Sequence, residues 1–185
     1  PVLAMTNEVA ISEGELWTLQ IAATDLDEPA QQITFSLTNA PAGAEINPTN
    51  GVVSWTPSEE QGPGMYLLAV LATDDCVPPL SATQALWITV RESNQAPVLG
   101  AVSNQVAIPG RLVAIDLQAT DADLPAQTLT FQWEGTLPAG ASLSPEGQFR
   151  WTPMEDQAGS TNLVVVRVTD SATPAGSATN SFLVI

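Results

Sequence analysis

Histidine and lysine are both missing from this chain, and cysteine occurs once, at Cys76. Without histidine, the usual general base of serine and cysteine hydrolases and the usual ligand of zinc enzymes are gone. A single thiol cannot close a disulfide within the chain, and a cysteine-rich metal site is excluded. Basic charge is scarce as well. Four arginines (Arg91, Arg111, Arg150 and Arg167) face 20 acidic residues, for a net charge of −16. That balance repels nucleic acid and anionic membrane, which are bound through basic patches. It suits divalent cations, and it equally keeps a protein soluble with no metal at all. No apolar run is long enough to cross a bilayer, and no basic, then apolar, leader opens the chain. The bare Pro1 start reads as that of a fragment of something longer.

What is present is a repeat. The stretch ATDLDEPAQQITFSL, at 23–37, returns within QATDADLPAQTLTFQ, at 118–132. The offset of 96 that sets Pro1 on Pro97 also sets Asp25 on Asp121, Asp27 on Asp123, Pro29 on Pro125 and Phe35 on Phe131. It continues through Trp55-Thr56-Pro57 on Trp151-Thr152-Pro153, Gln61 on Gln157, and Asp74 on Asp170. Only the PAGA segment slips, with Pro41 on Pro138, so one residue is inserted in a loop and removed again before Gly147. A chain of 185 residues is long enough for two modules of common size, and the periodicity decides for two. The division expected is 1–93 and 94–185. The second repeat stops before its own version of the linker RESNQAP, so the parent protein is expected to continue in both directions.

Within each repeat the apolar pattern has period two. Trp17, Leu19 and Ile21 share a face, as do Ile33, Phe35 and Leu37, and Tyr66, Leu68, Val70 and Ala72. Clusters such as NAPAGAEINPTNG and SEEQGPG break helices and make turns between these runs. About seven short strands per repeat predict an all-β chain: two tandem antiparallel Greek-key β-sandwiches. Trp17, Trp55, Trp133 and Trp151 read as core packing. Trp87 differs, because the buried set of its strand should be Leu86, Ile88 and Val90. Trp87 then faces outward, and with Leu67 and Leu71 it forms a candidate contact patch, unless a loop or a neighbouring module covers it.

The order ATDLDEPAQQITFSL, TNGVVSWTP, YLLAVLATDDCVPPLSA, ESNQAPVL resembles the cadherin repeat. The WTPSEEQGPG wording and the linker are closer still to the dystroglycan-type cadherin-like and immunoglobulin-like tandem repeats of large bacterial surface proteins. The resemblance implies seven-stranded sandwiches joined end to end, with Ca²⁺ held at the junction. Its ligands there would be Glu13, one of Glu59 and Glu60, Glu92, Asn94, Asp121, Asp123 and Asp170. A second, incomplete set would be Asp25, Asp27 and Asp74 at the other end of the first repeat. Such an oxygen-only set matches the six to eight oxygens calcium prefers. Residues i and i+2 of an extended segment point the same way, so the two aspartates of DxD can converge on one cation. The bland alternative is that they make side-chain to backbone turns at strand ends. The linker ESNQAP is less acidic than its cadherin counterpart, and Arg91 adds a positive charge nearby, so weaker binding or fewer ions should follow. Pro109 stands where Glu13 would recur and Ser171 where Asp75 would, which depletes any site at the far end of the second repeat.

The function implied is a calcium-binding spacer or adhesion module, extracellular or on the cell surface of a bacterium. Its partners would be adjacent repeats of the same chain, then another surface protein or a polysaccharide. The alternative is a carbohydrate-binding accessory module using Trp87 as its aromatic platform. An enzyme such as a two-carboxylate glycosidase is not expected, because the acids recur with the repeat instead of forming one unique cluster.

Overall fold

Strands whose successive side chains face opposite sides build both halves of the molecule. A computed structural model describes residues 1–185 as strands and turns with two single-turn 3₁₀ helices. The chain divides into two units, Pro1–Ser93 and Asn94–Ile185.

In the first unit the strands are β1 (Val2–Ala4), β2 (Glu8–Ser12), β3 (Trp17–Gln20), β4 (Ala22–Thr24), β5 (Thr34–Asn39), β6 (Glu45–Ile46), β7 (Val52–Trp55), β8 (Gly64–Thr73) and β9 (Ser81–Arg91). One sheet has the order β2-β9-β8-β5, the second β3-β7-β6, and β1 pairs with β4 in a short ribbon. Only the β2–β9 pairing is parallel. A single core joins both sheets: Leu68, Val70 and Ala72 of β8 and Leu86, Ile88 and Val90 of β9 pack with Val53 and Trp55 of β7, Ile21 and Phe35. Each of the larger side chains contributes about 1.5–3 kcal/mol by leaving water.

The second unit repeats the plan with β10 (Val98–Leu99), β11 (Val113–Asp116), β12 (Ala119–Thr120), β13 (Thr130–Glu134), β14 (Ser142–Leu143), β15 (Gln148–Trp151), β16 (Asn162–Thr169) and β17 (Ser177–Val184). Its sheets are β13-β16-β17 and β11-β15-β14, with β10 paired to β12. The counterpart of β2 shrinks to one parallel bridge, Gln105 to Val184. Val164, Val166 and Val168 pack with Phe149, Trp151, Phe182 and Val184 in a separate core.

The repeated Trp and Gln have a common task. Trp55 Nε1 and Gln61 Nε2 both donate to the Ala42 carbonyl at 3.1 Å, while Gln61 Oε1 accepts from the Ser58 N–H at 2.9 Å. Trp151, Gln157 and Ala139 repeat the grip in the second unit. It fixes the short helix Glu59–Gln61, and so the place of Glu59.

One expectation fails. Trp133 is not core: it is 47 % exposed, beside an open cleft that it lines with Phe131, Leu143 and Pro145. Parity places it on the inner side of β13, with Phe131, but near the strand's end, where the facing sheet no longer covers it. Trp87 is 50 % exposed and lies opposite Leu67 in register, and Leu163 and Leu183 form the equivalent outward pair in the second unit.

Candidate metal centre

Three segments of the first unit bring carboxylates together. Glu13 sits in the turn after β2, where its N–H is tied to the Arg91 carbonyl at 3.1 Å and Gly14 N–H to the Pro57 carbonyl at 2.8 Å. Glu59 belongs to the short helix, and Glu92 directly follows β9. One oxygen from each of the three lies within 4.8 Å of the others. Glu60 is exposed and stands outside this cluster. Glu13 is only 2 % exposed; its Oε1 accepts the Ser93 N–H at 3.0 Å, and its Oε2 is buried with no hydrogen-bond partner. A buried carboxylate oxygen left unpaired is costly, and a positive charge is the ordinary remedy.

In the second unit the acids are knitted together by amides. Asp123, also 2 % exposed, accepts the Gln95 N–H at 2.9 Å and Gln127 Nε2 at 2.9 Å. Gln127 Nε2 also reaches Asn94 Oδ1 at 2.7 Å, and Asn94 Nδ2 donates to Asp170 Oδ2 at 3.1 Å. Asp170 further accepts the N–H groups of Ala172 and Gly176. Burial acts to raise the Asp170 pKa, but Asn94 and the two backbone donors outweigh it and hold the carboxyl below its ordinary value. Asp121 Oδ1 takes the Asp123 N–H at 3.0 Å, while Asp121 Oδ2 is buried without a partner.

The DxD of the first unit meets a cation directly. The Pro1 ammonium contacts Asp25 Oδ2 at 2.8 Å, and Asp25 Oδ1 accepts the Asp27 N–H at 3.0 Å. That pairing lowers the Asp25 pKa and raises that of the ammonium, to which the charges of Asp74 and Asp27 also add. Asp74 caps its loop through Oδ1, accepting from Cys76 and Leu80, and leaves Oδ2 unpartnered. Asp25 and Asp121 therefore do make the side-chain to backbone turns typical of strand ends; the second oxygen of Asp25 meets the Pro1 ammonium, and that of Asp121 is left over. Burial, then the charge of Asp74, pushes the Cys76 thiol up, and a thiol so placed is a weak nucleophile.

Gly62, Gln127 and Ser93 were not among the expected site residues. Gln127 had a visible signal, since Gln31 stands at the same place in the first repeat. Gly62 had none, because its neighbour Glu13 is distant in sequence.

The donors present are all oxygens, with neither histidine nor thiolate among them, and they fit a hard divalent cation such as calcium better than zinc or copper. The Glu13 carboxylate itself is seated against Gly62, where a side chain would fill the space that Glu13 Oε2 occupies.

Comparison with known proteins agrees with this architecture. A bovine (Bos taurus) protein, Cadherin-3, is 29 % identical over 149 residues, which is 74 % of this chain and 28 % of that protein. The chain thus spans less than a third of the length of this relative. Among solved structures, human CDH23 EC21-23 matches with a TM-score of 0.60 at 17 % identity, covering 97 % of this chain and 60 % of that one. Drosophila N-cadherin EC1-4 also gives 0.60, at 18 % identity, covering 97 % of this chain and 47 % of that one. Mouse Cadherin-23 EC22-24 gives 0.56 at 21 % identity, covering 100 % and 63 %. At such identities these structures speak for the fold. The sequence family described as "Putative Ig domain" matches residues 1–91 and again 96–185. The chain belongs to that family, as a tandem of two cadherin-like, Ig-like sandwiches.

Proposed function

We propose that this chain is a calcium-binding tandem module of a larger extracellular protein, in which the ion stiffens the connection between consecutive repeats. The observation that carries the reading is Glu13: an almost fully buried carboxylate, one oxygen unpaired, with Glu59 and Glu92 beside it. Glu13, Glu59 and Glu92 would hold the ion from the first unit, and Asn94, Asp121, Asp123 and Asp170 from the second. When bound, calcium supplies the positive charge that these acids otherwise lack. Within the first unit the Ser93 N–H rests on Glu13, and within the second the Gln95 N–H rests on Asp123. Asp25, Asp27 and Asp74 would form the further set in the first unit, where Asp74 Oδ2 is buried without a hydrogen-bond partner. An ion bound only by the ordered arrangement stabilises it by RT ln(1 + [Ca²⁺]/Kd).

Carbohydrate binding would rest instead on the half-exposed indole of Trp87. Asp25, Asp27 and Asp74 recur as Asp121, Asp123 and Asp170, whereas Leu183 stands at the equivalent place to Trp87, so the repeated feature favours calcium.

The test is thermal unfolding and small-angle scattering with calcium and with a chelator. Calcium is expected to raise Tm and narrow the range of interdomain arrangements, and the paired change Asp121→Ala, Asp123→Ala to remove most of both effects. Identical melting and scattering curves in millimolar-scale calcium and in chelator would refute the proposal.

A further inference from the structure

Gly62 directly follows the short helix that carries Glu59, and it is buried. Resting on the calcium reading above, we propose that Gly62 is a positioning residue of the metal centre: its missing side chain is what admits the Glu13 carboxylate.

Conformation does not explain the glycine. Its φ of −111° and ψ of 149° are extended backbone open to any L-residue. Space does explain it. A Cβ at this position would overlap Glu13 Oε2 and stand 2.7 Å from the Glu13 carboxyl carbon and 3.2 Å from its Cβ. Glu13 cannot swing aside at little cost, because its Oε1 holds the Ser93 N–H and its own N–H is held by the Arg91 carbonyl. Moving the carboxylate would break the first bond and shift the group that lies beside Glu59 and Glu92.

The second unit serves as an internal control. At the positions of Glu13 and Gly62 it has Pro109 and Ala158. Ala158 is exposed, with φ −60° and ψ 137°, again extended. Where no carboxylate stands, a side chain is accommodated. That pairing of Glu with Gly and of Pro with Ala is expected if the glycine serves the acid.

The experiment compares four full-length chains: native, Gly62→Ala, Glu13→Ala and the double variant. Each is titrated calorimetrically with calcium chloride and melted in chelator. Gly62→Ala is expected to weaken calcium binding about 10- to 100-fold, as loss of a supporting residue does at other metal sites, and to lower the metal-free Tm. In the Glu13→Ala background the same change should lower neither, because the group it strikes is gone. Equal losses of Tm in both backgrounds would show a backbone role and overturn the inference, as would native affinity in Gly62→Ala. A silent titration of the native chain overturns the calcium reading and this inference together, whereas native binding matched by Gly62→Ala overturns this inference alone.

Discussion

Gln127 takes on, at the scale of one side chain, part of the work expected of a cation. Its Nε2 bonds Asn94 Oδ1 and Asp123 Oδ2 at once, so an amide bridges linker and aspartate where like charges would otherwise crowd. The Gln95 N–H is consequently held on Asp123 without any ion. In chelator, hydrogen exchange should find that amide protected. Gln127→Leu should speed its exchange roughly five- to tenfold, the scale of losing one hydrogen bond of about 1 kcal/mol. Unchanged exchange would mean that Asp123 holds the linker by itself. The equivalent Gln31 faces different company, donating to Cys76 Sγ. Asp27 is exposed, whereas the equivalent Asp123 is buried.

Strand β8 shows how an element sorts its residues. Leu68 is fully buried, whereas its neighbour Leu67 points the other way, opposite Trp87. Leu68→Ala should cost about 2–5 kcal/mol through lost burial and a cavity, while Leu67→Ala should stay within about 0.5 kcal/mol; denaturant unfolding followed in the first unit checks both. This alternation was readable in the letters, as were the repeat offset, the sandwich class and the outward turn of Trp87. Local spacing sets which side of a strand a residue faces, and short strands keep that rule. The exposure of Trp133 was not readable, because parity is silent on where the opposing sheet ends. Nor was the choice of Glu59 over Glu60, which depends on how the Trp55 and Gln61 grip on Ala42 sets the short helix. Contacts between positions far apart, such as Glu13 with Gly62, leave no trace in local pattern.

For the molecule as a whole, a net charge of −16 means that any salt should help the folded state by screening self-repulsion. The proposed centre adds a term that screening cannot supply. Calcium chloride is expected to raise Tm more than sodium chloride of the same ionic strength, and the excess should vanish in Glu13→Gln. Equal responses to the two salts would reduce the acids to a solvated face.

Each unit encloses one tryptophan and leaves another wet: Trp55 at 1 % and Trp151 at 2 % exposure, against Trp87 at 50 % and Trp133 at 47 %. The chain therefore carries its own fluorophores of two kinds in both halves. Sheltered indoles emit at shorter wavelength, and the wet ones are open to acrylamide. With Trp87 replaced by phenylalanine, the readily quenched light would come chiefly from Trp133 of the second unit, with a smaller share from the half-buried Trp17 of the first.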